Sequence, residues 1–332
     1  IKENPYRLIE DVEGIGFATA DKIARTLGLD AHSEFRIRAG ILYTLSDASE
    51  KNGHTYLPKE DLFKNVTKLL DIEESPSFKK VLEDLIFDKV IINTFIFPHD
   101  AVMLAKYYHY EKSVAEKLAL LCCSLINTEF DVNEEISTFE QANNIKFHPD
   151  QKKAIINAIN SGVSIITGGP GTGKTTIVKC IITLLEAQRK RILLTAPTGR
   201  ASKKLSEATE REAKTIHRAL QVDYRTKHFV FNEQNPLPYN VIIVDEVSMV
   251  DVQLMYNLLK AVARDTKLIF VGHKDQLPSV GAGNVLEDMI TSEVIKVSEL
   301  TQIFRQSENS LIISNAHKIN EGEMPEIDNK SQ

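Results

Sequence analysis

The stretch Val163-Ser164-Ile165-Ile166-Thr167-Gly168-Gly169-Pro170-Gly171-Thr172-Gly173-Lys174-Thr175 joins an apolar run to a glycine-rich segment. The glycine-rich part fits the pattern G-x-x-x-x-G-K-S/T between a predicted strand and a predicted helix, where it forms a phosphate-binding loop. Glycines let such a loop curl around phosphate oxygens at a helix N-terminus. We expect Lys174 to contact the β- and γ-phosphates of ATP and Thr175 to bind Mg²⁺. A glycine turn without a ligand is the alternative. The residues predicted to hold the nucleotide are Gly169, Pro170, Gly171, Thr172, Gly173, Lys174, Thr175 and Thr176.

A second apolar run, Val241-Ile242-Ile243-Val244, ends in the carboxylates Asp245-Glu246. Beside a phosphate-binding loop, the first carboxylate is predicted to hold Mg²⁺ through water and the second to polarise the attacking water. A strand that simply ends in acidic residues is the alternative. Together the two motifs predict phosphoryl transfer from a nucleoside triphosphate to water.

Further apolar runs at 192–196 and 268–271 are separated from these two by stretches of helical length. Short buried strands that alternate with helices predict an α/β fold, in which helices flank a parallel sheet. Residues 221–238 interrupt this alternation and are predicted to form a β-hairpin insertion.

The N-terminal half has a different pattern. Apolar positions at helical spacing on both sides of Gly14 and Gly16 predict two short helices joined by a tight hairpin, with Gly28 ending the second. The hairpin could bind DNA or be a plain turn. Helical patterns continue to about Leu70, with a turn at Asn52-Gly53. The run Lys89–Phe97 predicts a strand pair that Pro98 stops, followed by a long helix at 101–127.

The predicted organisation is a helix-hairpin-helix at 1–30, a helical, winged-helix-like domain at 31–127, a polar linker at 128–146, the ATPase domain at 147–320 and a tail at 321–332. No stretch approaches 18 apolar residues, so no transmembrane helix is predicted. Cys122, Cys123 and Cys180 lack metal-ligand spacing and are interpreted as buried free thiols of a cytoplasmic protein.

Charge is distributed unevenly. The chain carries a net charge of −6, but residues 1–150 have 17 basic and 26 acidic side chains, whereas residues 151–332 have 23 and 20. Much of the basic surplus lies between Arg189 and Arg218, where Glu207, Glu210 and Glu212 oppose it. Such a stretch favours a polyanionic partner held through phosphates. A solvated helix face is the alternative.

Six segments flank the two ATPase motifs. In order, they are Phe147-His148-Pro149-Asp150-Gln151, Thr195-Ala196-Pro197-Thr198-Gly199-Arg200-Ala201-Ser202, Thr215-Ile216-His217-Arg218, Val247-Ser248-Met249-Val250-Asp251, Gln276-Leu277-Pro278-Ser279-Val280 and Leu300-Thr301-Gln302-Ile303-Phe304-Arg305-Gln306. The series resembles the RecD/TraA-like group of superfamily 1 DNA helicases over essentially the whole chain. The N-terminal Asn4-Pro5-Tyr6-Arg7-Leu8 with its glycine hairpin is similar to the same group.

The resemblance implies a RecA-like motor domain of a bacterial, cytoplasmic ATP hydrolase similar to the α-subunit of exodeoxyribonuclease V. It implies 5′-to-3′ movement on single-stranded DNA, or on DNA with a 5′ single-stranded tail, by a monomer in recombination or repair. Gln151 would read adenine, Gln276 would sense the γ-phosphate and Arg305 would contact it. The residues implied to bind DNA are Pro197, Thr198, Gly199, Arg200, Thr215, His217 and Arg218.

Alternatives stay open for several of these residues. Gln151 could be an ordinary helix-start residue, His217 and Arg218 a surface helix turn, and Arg305 part of a structural salt bridge. The insertion at 221–238 matches the position of the strand-separating pin in the group.

The chain departs from the group in two ways. His273 stands where an acid is usual, with Asp275 as a possible compensation. A second RecA-like domain is expected after Met324-Pro325, so we interpret the chain as the N-terminal and first motor domains, unable to unwind DNA alone. A nucleotide-switch or loader ATPase on DNA, or a DNA-binding adaptor acting through the glycine hairpin, are the alternative functions.

Overall fold

The computed structural model describes residues 4–12, 14–73, 76–123, 130–223, 225, 228–302, 315, 318–319 and 322–326. The chain divides into two compact units. Unit 1 comprises Ile1–Lys112 with Val280–Gly283, and unit 2 comprises Ser113–Ser279 with Asn284–Gln332. No helix of the described ranges is long and apolar enough to cross a membrane.

Unit 1 begins with a 3-10 turn at Pro5–Arg7. Its further elements are α1 (Leu8–Asp11), α2 (Phe17–Thr26), α3 (Glu34–Asn52), β1 (Tyr56–Pro58), α4 (Lys59–Leu70), α5 (Pro76–Phe87), β2 (Ile91–Ile96) and β3 (His99–Leu104), and α6 (Ala105–Cys122) runs on into unit 2. The helix-hairpin-helix is present as α1 and α2. Gly14 and Gly28 adopt φ values of +91° and +81°, which glycine reaches without strain.

The helix-hairpin-helix is not a separate domain, contrary to the boundary predicted at residue 30. Phe17 and Ala20 of α2 share one buried core with Ile37 of α3, Leu70 of α4 and Leu85 of α5. Four residues of α1 and ten of α2 are too few to bury a core alone. The two predicted N-terminal domains therefore form one unit, which ends at Lys112 rather than at residue 127.

The remainder of unit 1 has the helix–strand–helix–helix–strand–strand order of a winged-helix-like unit, with an antiparallel sheet of order β1-β3-β2. Two expectations were wrong in detail. The run 89–97 holds one strand, β2, and its partner β3 follows Pro98. The helix predicted from 101 begins at Ala105, because Ala101 and Val102 are buried and pair with Thr94 and Asn93 of β2. Sheet pairing overrides local helical spacing here.

Unit 2 contains the parallel sheet that the apolar runs predict. Its elements are α7 (Val132–Asn143), α8 (Pro149–Asn160), β4 (Val163–Gly168), α9 (Lys174–Ala187), β5 (Ile192–Ala196), α10 (Gly199–Thr209), β6 (Ala213–Thr215), α11 (Ile216–Leu220), β7 (Val241–Val244), a 3-10 turn (Val247–Met249), α12 (Val252–Lys260), β8 (Lys267–Gly272), α13 (Val285–Thr291) and β9 (Lys296–Leu300). All strand pairs are parallel, in the order β6-β5-β7-β8-β4-β9. The sequence reasoning missed the two edge strands, β6 and β9.

The stretch predicted as a linker, 128–146, is wrong as an organisational assignment. It contains α7, whose Val132 and Ile136 are buried in the core of unit 2. The Phe139 ring stacks on Phe147 with 6.0 Å between centroids. Asp131 caps the helix by accepting a hydrogen bond from the Asn133 N–H. The polar residues that suggested a linker occupy the exposed face of this helix.

The insertion predicted at 221–238 lies between α11 and β7 and contains antiparallel bridges. Val222 bridges Phe229, and the Val230 N–H donates to Gln221 O. A second bridge joins Asn232 to Asn235. The described part of the insertion thus contains isolated antiparallel bridges, and the hairpin stays a prediction.

The three cysteines are free, and only Cys180 is fully buried. Cys122 is half-buried and Cys123 is exposed at the end of α6, so the expectation of burial was wrong for these two. Adjacent residues of a helix point in different directions, and an apolar run does not bury each of its members.

Candidate active site

The carboxyl ends of parallel strands meet at one edge of the sheet, where ligands of open α/β sheets bind. Three neighbouring strands of unit 2 place predicted site residues there: β4 leads into the glycine loop, β7 into Asp245-Glu246 and β8 into His273–Gln276. These segments line a single cavity of about 1080 Å³. The predicted nucleotide residues are therefore brought together.

The glycine loop has the conformation that its sequence predicts. Gly171 and Gly173 adopt φ values of +79° and +85°, a region that other residues enter only with strain. The buried Thr172 hydroxyl donates to Gly169 O at 2.9 Å. The Lys174 ammonium donates to the carbonyls of Gly168 and Gly169, so it lies against the loop itself.

Gln151 holds two segments together. Its side-chain oxygen accepts from the His148 N–H at 3.0 Å, as part of a capping box at the start of α8. Its side-chain nitrogen donates to Thr172 O in the glycine loop at 3.0 Å. Gln151 is therefore a helix-start residue, as the alternative interpretation had it, and it also braces the phosphate loop. The side chain lines the cavity as well.

Asp245 and Glu246 follow β7 directly. The Asp245 N–H donates to Thr195 O at 2.8 Å, which fixes the strand end against β5. Glu246 has a φ of +52°, an uncommon backbone conformation for a residue other than glycine, and such strain concentrates at functional sites. Burial raises the pKa of the Asp245 carboxyl, and the charge of Glu246 adds to this, whereas Lys174 opposes it. The two half-buried carboxylates thus repel each other.

Burial likewise lowers the pKa of the Lys174 ammonium, and the charges of Glu246 and Asp245 oppose that shift. The loop lysine and the two carboxylates therefore interact electrostatically across the cavity. Bound phosphates would place negative charge next to Lys174, and a bound divalent cation would place positive charge next to Asp245 and Glu246.

The donor set fits Mg²⁺. The Thr175 hydroxyl and the Asp245 carboxylate both line the cavity, and hard oxygen donors are the ligands that Mg²⁺ takes in proteins. Across the part of the chain that the structure describes, no group of three or more His, Cys, Asp or Glu side chains could hold a metal ion. Nucleotide phosphates and water would complete the coordination, as is usual for Mg²⁺.

Ser248 connects the carboxylate segment to Gln276. The Ser248 hydroxyl, in the 3-10 turn after Glu246, donates to Gln276 Oε1 at 2.9 Å and is largely buried. Gln276 lines the same cavity as Lys174. The sequence predicts no role for Ser248. The feature that could have indicated one is a hydroxyl two residues after the carboxylates Asp245 and Glu246.

His273 faces the cavity and lies beside an acid. Its Nδ1 is 3.7 Å from Asp275 Oδ2, and the side chain of His273 is only 13% exposed. Asp275 lines the cavity too. The structure therefore places an acid, Asp275, close to the position of the departure.

The residues predicted to bind DNA lie at the carboxyl ends of β5 and β6. In the strand order these two strands are on the opposite side of β7 from β8 and β4. Two of them cap helices: the Thr198 hydroxyl accepts from the Ala201 N–H at the start of α10, and the Thr215 hydroxyl accepts from the Arg218 N–H at the start of α11. Arg200 and Arg218 are exposed. Their guanidinium groups can therefore reach a ligand from solvent.

The remaining predicted DNA residues differ in exposure. Pro197 is half-buried, whereas Gly199 and His217 are exposed. The His217 ring lies 6.1 Å from the ring of Phe229 in the insertion. His217 thus contacts the hairpin rather than standing alone on a helix turn. Arg305 lies outside the described residues, as do most of the residues after Gln302, including much of the predicted tail at 321–332.

The basic stretch is less positive than its sequence suggests. Arg211 makes two hydrogen bonds to Glu186 at 2.9 and 3.0 Å. Glu186 precedes the basic stretch in the sequence, so it adds to the three acidic residues within it. Lys214 pairs with Glu212 at 3.3 Å. The charges left for a polyanion are fewer than the nine basic residues of the stretch.

Comparison with known proteins finds two matching families and several relatives. The family described as "ATP-dependent RecD2 DNA helicase HHH domain" matches residues 1–56, and the family described as "AAA domain" matches residues 151–282. The ATP-dependent RecD2 DNA helicase of Deinococcus radiodurans is 32% identical over 332 residues, covering 96% of this chain and 45% of that protein. The chain is similar to the RecD-like helicases over nearly its whole length.

A further curated relative and a solved structure are also similar to this chain. RecBCD enzyme subunit RecD of Buchnera aphidicola subsp. Schizaphis graminum is 31% identical over 312 residues, covering 81% of this chain and 50% of that subunit. Among solved structures, Pif1 helicase from Candida albicans has a TM-score of 0.41 and 25% identity, covering 55% of this chain and 46% of that one. The RecD-like chain spans about half the length of the curated relatives that it matches.

Proposed function

We propose that this RecD-like chain provides the ATP-hydrolysing site of a DNA helicase that moves 5′ to 3′ along single-stranded DNA in recombination or repair. The observation that carries the proposal is the single cavity in which Lys174, Asp245, Glu246 and Gln276 meet. The hydrogen bond from Ser248 to Gln276 supports coupling of ATP hydrolysis to DNA through Gln276. It links the turn that follows Asp245 and Glu246 to the segment that contains Gln276.

Each side chain has a defined task in the proposed reaction. Lys174 leaves the loop carbonyls and donates to the β- and γ-phosphates. Thr175 and Asp245 would hold Mg²⁺, which would supply positive charge next to the phosphate oxygens. Glu246 orients and polarises the attacking water. Gln276 lies beside the γ-phosphate, and Arg305 donates to it.

Gln151 is proposed to contact adenine in addition to bracing the loop, since its side chain lines the same cavity. The cradle for the phosphates consists of the loop residues Gly169, Pro170, Gly171, Thr172, Gly173 and Thr176. Residues 169–173 connect β4 to α9, and Thr176 lies in the first turn of α9, where the helix dipole favours anions.

The DNA track is proposed to follow the ends of β5 and β6. Arg200 and Arg218 would bind phosphates without regard to sequence, and the segments Pro197–Gly199 and Thr215–His217 would line the path. The partner is single-stranded DNA or a duplex with a 5′ single-stranded tail. We propose that the protein acts as a monomer in the bacterial cytoplasm.

The proposal is tested with Glu246→Gln in the natural protein that contains these 332 residues. The variant should bind ATP but lose DNA-stimulated hydrolysis by about a hundredfold or more, as expected when the group that activates water is removed. Lys174→Ala should lose ATP binding itself. Glu212→Gln, at an exposed position on the same unit, is the matched control and should hydrolyse ATP normally.

Strand displacement from duplexes with a 5′ or a 3′ tail tests the direction. We expect displacement only from the 5′-tailed duplex. Displacement from the 3′ tail would overturn the direction, and hydrolysis that does not depend on the length of the single strand would favour a switch or loader ATPase instead.

A further inference from the structure

Helix α10 runs from the segment proposed to bind DNA to the nucleotide cavity. It begins at Gly199, directly after its capping residue Thr198. One turn further along, Lys204, Leu205 and Ala208 line the cavity that also holds the glycine loop and Asp245. The helix therefore belongs to both sites. The sequence alone had placed Lys204 only in the basic stretch assigned to a polyanionic partner.

Helical geometry separates Lys204 from its neighbour. Lys204 and Ala208 are four residues apart and share one face, and both line the cavity. Lys203 lies on another side of the helix, where it forms an exposed ion pair with Glu207 at 3.9 Å. Two adjacent lysines thus have different surroundings.

The cavity lining places Lys204 among the proposed phosphate-binding groups. Lys204 lines the same cavity as Lys174, Thr175 and Asp245, which the proposed ATP site places around the phosphates. Lys146, a further lysine of the cavity wall, is adjacent to Ile145 and Phe147 and interacts electrostatically with Glu140 instead. The side chain of Lys204 is exposed, so a ligand in the cavity can reach it.

We propose that Lys204 binds the terminal phosphate of the nucleotide, so that α10 responds to the difference between a triphosphate and a diphosphate at its middle and to DNA at its start. The inference rests on the proposed ATP site and deepens it. A lysine ammonium is a compact point charge that binds phosphate oxygens well. The contact would form with ATP and be lost when the γ-phosphate leaves.

The test compares Lys204→Gln with Lys203→Gln, which removes the same charge one residue away. Affinities for a non-hydrolysable ATP analogue with Mg²⁺ and for ADP with Mg²⁺ are measured by competition with a fluorescent nucleotide. Lys204→Gln should weaken binding of the analogue about tenfold, the loss of one charge-assisted hydrogen bond, and of ADP by less than about threefold. Lys204→Arg should recover most of the loss, and Lys203→Gln should bind both nucleotides normally.

A second readout is the affinity for single-stranded oligothymidine with and without the analogue. The analogue should change DNA affinity in the wild-type chain and in Lys203→Gln, and this change should shrink in Lys204→Gln. Unchanged binding of the analogue by Lys204→Gln would overturn the inference. So would an equal loss of ADP binding, or a loss confined to DNA affinity without nucleotide.

Lys174→Ala distinguishes this failure from failure of the proposed function. If Lys174→Ala abolishes binding of the analogue and Lys204→Gln does not alter it, only the role of Lys204 is wrong. If Lys174→Ala binds the analogue normally, the proposed ATP site itself is wrong. Circular dichroism of each variant confirms that it is folded.

Discussion

The side chain of Gln151 makes two hydrogen bonds that serve different segments. One completes the capping box of α8, and the other reaches Thr172 in the phosphate loop, 21 residues away. With 5% of its surface exposed, Gln151 is buried, so its amide is costly to leave without partners. A residue that the sequence assigns to adenine therefore also has a structural task.

Gln151→Ala separates these two roles. We expect binding of ATP and of GTP to weaken together, because the brace on the phosphate loop is lost, and ATP to weaken further, because an adenine contact is lost. Titration of both nucleotides, each with Mg²⁺, measures this. Unchanged GTP binding would contradict the brace, and equal losses would contradict the adenine contact.

Ser248 acts on the nucleotide through Gln276. We expect Ser248→Ala to reduce DNA-stimulated turnover by about three- to tenfold, the value of one neutral hydrogen bond of about 0.5–1.5 kcal/mol. Affinity for ATP should stay within about twofold, since Ser248 does not line the cavity.

Turnover with and without single-stranded DNA gives the measurement for Ser248→Ala. Ser206→Ala is the control, because the Ser206 hydroxyl donates to Arg211 O on the exposed surface. A parallel loss of ATP affinity and turnover in Ser248→Ala would point to general damage rather than to positioning of Gln276.

Elements of unit 1 are joined by a buried ion pair. Arg36 of α3 donates to both oxygens of Asp21 of α2, at 2.8 and 3.2 Å, and its remaining nitrogen donates to Leu70 O of α4 at 2.9 Å. The Tyr6 hydroxyl donates to the same carboxylate at 2.6 Å. Burial alone would raise the pKa of Asp21, but the hydrogen bonds from Arg36 and Tyr6 and the charge of Arg36 hold it below its ordinary value.

We expect Asp21→Ala to lower the free energy of unfolding of unit 1 by about 3–5 kcal/mol, because Arg36 is left as a buried charge without its partner. Hydrogen exchange of amides in α2 and α3 measures the loss. Asp11→Ala is the control, since Asp11 pairs with Arg7 at 4.0 Å on the exposed surface and should contribute less than about 1 kcal/mol.

The same pair gives unit 1 a defined pH dependence. Because the pKa of Asp21 is lower in the folded state than in the unfolded state, its contribution is present at neutral pH and is lost as the pH falls through the folded value. The wild-type chain should lose stability in acid more steeply than Asp21→Ala. Parallel acid titrations of the two proteins would contradict this.

Helix α7 is an element of the ATPase unit, and its packing can be measured. Ile136 is 1% exposed within the core of unit 2. Ile136→Ala should lower the free energy of unfolding of unit 2 by about 2–5 kcal/mol, as buried Ile-to-Ala changes do. Glu134→Ala, on the exposed side of α7, should change it by less than about 0.5 kcal/mol.

Urea unfolding, monitored by hydrogen exchange of the amides in β4 and β7, measures the change in stability of unit 2 for both variants of α7. A negligible effect of Ile136→Ala would restore the interpretation of residues 128–146 as a linker.

Over the whole molecule, the basic surplus lies in residues 151–332, and the acidic surplus lies in residues 1–150. If Arg200 and Arg218 bind phosphates, removing either should reduce the salt dependence of binding to single-stranded DNA. The slope of log K against log salt should fall in magnitude by about 0.7 for each, and by about 1.4 for both.

Fluorescence anisotropy of a labelled oligothymidine at several salt concentrations measures that slope. Arg38→Gln in unit 1 is the control, since Arg38 pairs with Asp88 at 3.2 Å in the acidic half, and it should leave the slope unchanged. A slope that survives loss of both Arg200 and Arg218 would move the DNA track elsewhere.

Local patterns predicted the central sheet and the phosphate loop well. The runs that became β4, β5, β7 and β8 are apolar on both faces, which suits only a strand covered on both sides. The edge strands β6 and β9 were missed because they are short and carry exposed or half-exposed residues, so their sequences resemble loops. Strand β3 overlaps the start of the predicted helix because six residues cannot distinguish the two periods.

Motifs along the chain were enough to predict the loop around Lys174, the carboxylates Asp245 and Glu246, and the parallel sheet that brings them to one edge. These follow from neighbours in the chain and from the common direction of parallel strands. Which distant groups meet depends on the packing of helices and loops, because that packing sets the direction of each side chain. It joins Gln151 to Thr172 and Ser248 to Gln276, and it places Lys204, but not Lys203, in the lining of the candidate nucleotide cavity.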